Sequence, residues 1–171
     1  EYVNLGVAGA TSPEVAAGQL DRAATLEPDL VTVLCGANDV LLSVRPDIDG
    51  YRETFGAILV RLGADAPEAR VLTATCADFS PWLPMGPRSR RRVAEGLAAL
   101  NEVTREVAAA HDAVCLDFAG HPHAGDRGNY AADGVHPSRE GNERAASAFT
   151  EAVAELAGDA RAPDHQPDGG P

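Results

Sequence analysis

The sequence predicts an α/β fold: an open, doubly wound parallel sheet with helices on both faces. Three observations carry this expectation. Short apolar runs alternate with longer segments of helical period. The connections between them are short, as in strand–helix–strand units. The run Leu30 to Cys35 is apolar almost throughout rather than alternating, the pattern of a strand buried on both faces.

Taken in order, Tyr2 to Ala8 reads as a strand. Ser12-Pro13 offers an N-cap followed by proline at the first helical position, and the helix is expected to reach about Leu26. Pro28-Asp29 breaks it ahead of the strand Leu30–Cys35. After a loop around Ser43–Pro46, Tyr51, Phe55, Ile58, Leu59 and Leu62 recur on one helical face. Val71 to Cys76 is the next strand. A proline-rich loop, Asp78 to Pro87, precedes a long helix with Val93, Leu97, Leu100, Val103 and Val107 at helical spacing. Ala113 to Phe118 is the fourth strand. A loop to Pro137 follows, and Ser138 opens a last helix to about Ala157. One domain is expected over 1–157. The Gly, Asp and Pro residues of 158–171 read as a disordered tail.

Composition excludes several partners. There are 14 Lys and Arg against 26 Asp and Glu, a formal charge of −12. Nucleic acids and anionic membranes reward clustered cations, so neither is expected as a partner. The one basic run, Arg88 to Arg92, reads as a solvated helix start or, less simply, an anion contact. No apolar stretch approaches a membrane span. Cys35, Cys76 and Cys115 lie on separate apolar runs and are an odd number. They read as reduced core residues rather than disulfides, with a thiol nucleophile as the alternative. No secretory signal is visible, and a cytoplasmic location is the expectation.

The motif richest in chemistry is Asp133-Gly134-Val135-His136-Pro137. A carboxylate three residues before a histidine can reach Nδ1 within one turn. That fixes the ring tautomer and frees Nε2 as a general base. Two further segments fall just after predicted strands: Asn4-Leu5-Gly6-Val7-Ala8-Gly9-Ala10-Thr11-Ser12, and Gly36-Ala37-Asn38-Asp39. Asn38 could donate its amide to an oxyanion, or simply form a turn. Gly9 could donate its backbone N–H, or serve only as a residue of positive φ. In open α/β sheets ligands bind off the carboxyl ends of strands, where all three segments fall.

In this order the three segments resemble the Gly, Asn and Asp/His blocks of the SGNH (GDSL-type) serine esterases and lipases. The resemblance covers about residues 3 to 150. It implies a flavodoxin-like sheet of order 2-1-3-4-5 and an ester-hydrolysing activity without cofactor. It implies that Gly9 and Asn38 donate to the oxyanion, and that Asp133 and His136 complete a catalytic triad. The family's nucleophile sits in a Gly-Asp-Ser motif on the first strand, and this sequence contains no Gly-Asp-Ser. The resemblance therefore places the nucleophile upstream of Glu1, on a strand between Tyr2–Ala8 and Leu30–Cys35. Without that strand, the chain alone is expected to be inactive and to self-associate through exposed sheet edges. Gly-Ala-Asn-Asp replaces the family's commoner Gly-Gly-Asn-Asp.

The expected partner is a small-molecule ester, and Trp82, Leu83 and Met85 read as an apolar lip beside it or equally as a packed loop. Ser12 and Ser138 read as helix caps. Ser43, Ser80 and Ser89 lack a strand-to-helix setting. Competing readings are a non-catalytic relative, an acyltransferase on the same fold, and a metal-binding module. The last would use His121, His123, Asp126, Asp133 and His136, which lie within sixteen residues.

Overall fold

A computed structural model describes residues 1–159. Its core is a parallel sheet flanked by helices on both sides. Strands β1 (Leu30–Thr32), β2 (Arg70–Ala74) and β3 (Val114–Leu116) pair in sequence order. Leu30 stands opposite Arg70, and Leu72 opposite Val114. The helices are α1 (Ser12–Gly18), α2 (Leu20–Ala24), α3 (Ala37–Leu41), α4 (Ile48–Asp65), α5 (Pro87–Ala110) and α6 (Arg139–Asp159). Among the described residues, no helix is long and apolar enough to cross a membrane.

The two long amphipathic helices follow their sequence pattern. Tyr51, Phe55, Ile58, Leu59 and Leu62 of α4 are all buried. So are Val93, Leu97, Leu100, Val103 and Val107 of α5. The faces meet, and the Tyr51 hydroxyl bonds Thr104 Oγ1 at 2.9 Å, so the phenol is not left unsatisfied.

Three expectations are corrected. Tyr2–Ala8 is not a strand: it makes no ladder hydrogen bonds, and Tyr2 and Val7 are largely exposed. Extended backbone becomes a strand only beside a partner, and among the described residues β1 is a sheet edge paired with β2 on one side alone. Among the described residues the sheet therefore has three strands rather than four. The helix expected over residues 12 to 26 breaks at Gln19 into α1 and α2. Its cap is Thr11, not Ser12: Glu14 reaches back to the Thr11 N–H and hydroxyl, both at 2.8 Å. The last helix runs two residues past Ala157, and the rest of the expected tail lies outside the described residues.

The carboxyl ends of β2 and β3 are tied down by side chains. Asn101 of α5 is buried and clamps Cys76, accepting from its N–H at 2.7 Å and donating to its carbonyl at 2.8 Å. The Thr75 hydroxyl donates to Asp117 at 2.9 Å and accepts from the Ala119 N–H. These bonds aim the loops that carry the site.

Candidate active site

Asp133 and His136 sit on a closed loop beyond β3. Residues Tyr130 and Pro137 form an antiparallel bridge, and the Ala131 N–H donates to His136 O at 2.8 Å. The chain reverses at Gly134, whose φ is +73°. A side chain there is excluded twice: the dihedral is left-handed, and a Cβ would lie 2.3 Å from Trp82 O. The turn thus rests on the backbone of the loop after β2.

The reversal brings Asp133 Oδ2 to 2.7 Å from His136 Nδ1. Asp133 Oδ1 also accepts the N–H groups of Val135 and His136, at 2.9 and 3.0 Å. With its Nδ1 proton directed to Asp133, the ring leaves Nε2 free, and the side chain is 78% exposed. The bond from His136, then the two backbone N–H groups, hold the Asp133 carboxyl down to about 2. A depressed acid stabilises the fold above its unfolded value of 3.8, and loses that contribution as pH falls through about 2. The gap in Tm between wild type and Asp133→Asn should therefore be level above 3.8 and close towards about 2. A gap that widens on acidification would contradict the pairing.

Asn38 lies in the first turn of α3, a helix the sequence reading did not separate from the preceding loop. Gly36 makes the entry possible. Its φ is +106°, and a Cβ would meet Tyr51 at 2.7 Å and Leu100 at 2.8 Å. Asn38 Nδ2 donates to Ala10 O at 3.0 Å, which holds it against the Gly9 turn. An amide nitrogen has two protons, so one donor remains. Gly9 itself has φ +80° in a turn closed by Ala10 N–H to Val7 O. An open cleft of about 200 Å³ borders it, lined by Val7, Ala10, Glu14 and Gln19.

The structure thus joins Gly9 with Asn38, and Asp133 with His136. Among the described residues no hydrogen bond links one pair to the other. Two arginines of the basic run, expected as a solvated helix start, instead frame both loops. Arg92 donates to Val40 O at 3.0 Å and to Ser43 O; Arg90 donates to Leu83 O at 2.9 Å. These arginines tie the loop after α3 and the loop under Gly134 to the start of α5. The available signal was their position: cations oppose the dipole at a helix N-terminus, so tertiary bonds must favour them. Asp39 is a residue the sequence reading missed. Its carboxylate accepts the Ser12 N–H at 2.9 Å and the Ser12 hydroxyl at 2.6 Å, pinning α1 to α3.

Other candidates are placed elsewhere. Leu83 is buried and the partly buried Trp82 and Met85 pack on the core, which favours the packed-loop reading of this segment. Burial, then Asp39 or Asp78, pushes the Cys35 and Cys76 thiols up to about 12, and burial raises Cys115 as well. Such thiols stay protonated at neutral pH and are poor nucleophiles. His123 Nδ1 lies 3.2 Å from Asp126, but among the described residues no three His, Cys, Asp or Glu side chains converge as metal ligands.

The fold has many solved relatives. An acetyl xylan esterase, AlAXEase, superposes with a TM-score of 0.70 at 20% identity, over 90% of this chain and 81% of that one. A GDSL-like lipase from Bacteroides thetaiotaomicron gives 0.73 at 19% identity, over 91% and 76%. A catalytic mutant of an acetylxylan esterase from Geobacillus stearothermophilus gives 0.67 at 20%, over 87% and 70%. Identities this low speak for the fold. No curated protein sequence matches. The model of the GDSL-like lipase/acylhydrolase family matches residues 1–144, most of the chain. The paired Asp133 and His136, and the loops of Gly9 and Asn38 that precede them in order, thus stand in a chain that belongs to the GDSL-like lipase/acylhydrolase family, a family of ester hydrolases.

Proposed function

We propose that the protein is a serine hydrolase of carboxylic esters that works through an acyl-enzyme, with its nucleophile upstream of Glu1. The observation that carries this is the 2.7 Å Asp133–His136 pair with Nε2 unencumbered. His136 takes the proton of the serine hydroxyl as its oxygen attacks the ester carbonyl. Asn38 and the Gly9 N–H donate to the oxyanion. The intermediate collapses, and His136 returns the proton to the leaving alcohol. Water, activated by the same ring, then releases the acid. Asp133 holds the tautomer throughout.

Support for an upstream serine comes from the hydroxyls this chain does hold. Ser12 is fully buried and donates to Asp39. Ser138 donates to Gly128 O and accepts from Gly141 N–H, as a helix cap does. Ser80 is buried beside Asp78. In the Geobacillus esterase the catalytic mutation replaces a serine near the start of the chain. The free edge of β1, with Leu34, Val3 and Val7 exposed, suits an added strand that would carry such a serine.

A fluorophosphonate probe tests this on two forms, the 171-residue chain and one extended upstream. We expect labelling and p-nitrophenyl acetate hydrolysis only in the extended form. The short chain should also self-associate, read by light scattering, and the extension should abolish it. Stoichiometric labelling of the short chain would place the nucleophile within it. Labelling of neither form would favour the non-catalytic reading, which the absence of Gly-Asp-Ser motivates.

A further inference from the structure

We propose that Leu42, with Val44 beside it, contacts the acyl chain and gives this site a preference for medium-length straight-chain acyl groups over acetyl. The proposal rests on Asn38 as an oxyanion donor. Leu42 still has helical dihedrals, φ −83° and ψ −8°, and its N–H donates to Asn38 O at 3.0 Å. Asn38 and Leu42 are therefore one turn apart on the same face of α3. Such side chains stand about 5–6 Å apart at Cβ.

The two faces of this short helix differ sharply. Val40 is fully buried and Leu41 packs on the core. Leu42 is 68% exposed and Val44 84%. They are not on a frayed end. Arg92 grips the carbonyls of Val40 and Ser43, and the Arg45 N–H donates to Ser43 Oγ at 3.1 Å. A pinned segment thus holds Leu42 bare one turn from the candidate donor, with Val44 bare two residues further on.

The chemistry selects which part of an ester they meet. The carbonyl oxygen goes to Asn38. The alkoxy oxygen must come within reach of His136 Nε2 to be protonated as it leaves. The acyl substituent is the group left free to run along α3. A chain of a few methylenes spans the distance to Leu42, and an acetyl methyl does not. Each methylene so covered is worth about fourfold in kcat/KM.

The test uses the complete enzyme, with its upstream sequence, and p-nitrophenyl acetate, butyrate and hexanoate. Wild type should favour hexanoate over acetate. In Leu42→Ser the hexanoate-to-acetate ratio of kcat/KM should fall about tenfold, and Leu42→Met should restore it. A ratio unchanged in Leu42→Ser would overturn the assignment and mean that other chain covers this face. No turnover and no fluorophosphonate label in wild type would overturn the underlying hydrolase reading, and this inference with it. Circular dichroism confirms that each variant is folded.

Discussion

Replacing His136 with alanine in the complete enzyme should lower kcat for a p-nitrophenyl ester by about 10⁴-fold or more. In the proposed mechanism the ring is the base for both the attack and the deacylating water. Its side chain is mostly exposed, so the fold should not suffer, and Tm should hold within a few degrees. Asp133→Ala should cost less, because the imidazole remains and only its tautomer and orientation are freed. The double variant should be no worse than His136→Ala alone, since the two residues act as one unit. Losses that multiply would mean separate roles. A loss under tenfold in His136→Ala would return this histidine to the status of a loop residue beside a helix.

The pairing was legible in the sequence because its geometry is local. Three residues of separation, a glycine at the reversal and a proline after it are enough to bring Asp133 to His136. The long helices were legible for the same reason. Residues at helical spacing such as Tyr51, Phe55 and Leu62 declare their buried face without reference to any other element. What was misread depends on partners far along the chain. Tyr2–Ala8 has strand composition, but a strand exists only in a ladder, and no ladder forms there. The break at Gln19 follows Gly18, but a single glycine inside a helical pattern is often tolerated, so it did not mark the break by itself. Trp82 and Leu83, apolar residues in a proline-rich loop, read equally as a lip or as packed. They are packed because the Gly134 turn sits on them and Arg90 holds them down. Arg92 acts across 49 residues on the Ser43 carbonyl, which no local window can see. The bare side chains of Leu42 and Val44 emerge only once the rest of the core is accounted for.

Asn38→Ala should lower kcat in the complete enzyme by about 10²–10³-fold with little change in KM. The range is that of one lost oxyanion donor. The structure pushes the expectation towards its upper end. Asn38 Nδ2 also donates to Ala10 O, so the amide proposed to meet the oxyanion also holds the turn of Gly9, the second proposed donor. Truncating it removes one donor and loosens the other. The lost hydrogen bond should cost about 0.5–1.5 kcal/mol in stability, too little to unfold the protein. Asn38→Asp should be worse than alanine: a carboxylate there would face both the Ala10 carbonyl and the developing oxyanion. A turn-forming asparagine makes the opposite prediction. Aspartate would then be the mild substitution, and kcat would stay within threefold of wild type while Tm alone moved. Measuring kcat, KM and Tm on both variants decides between them, because only a donor to the transition state lowers kcat without weakening substrate binding.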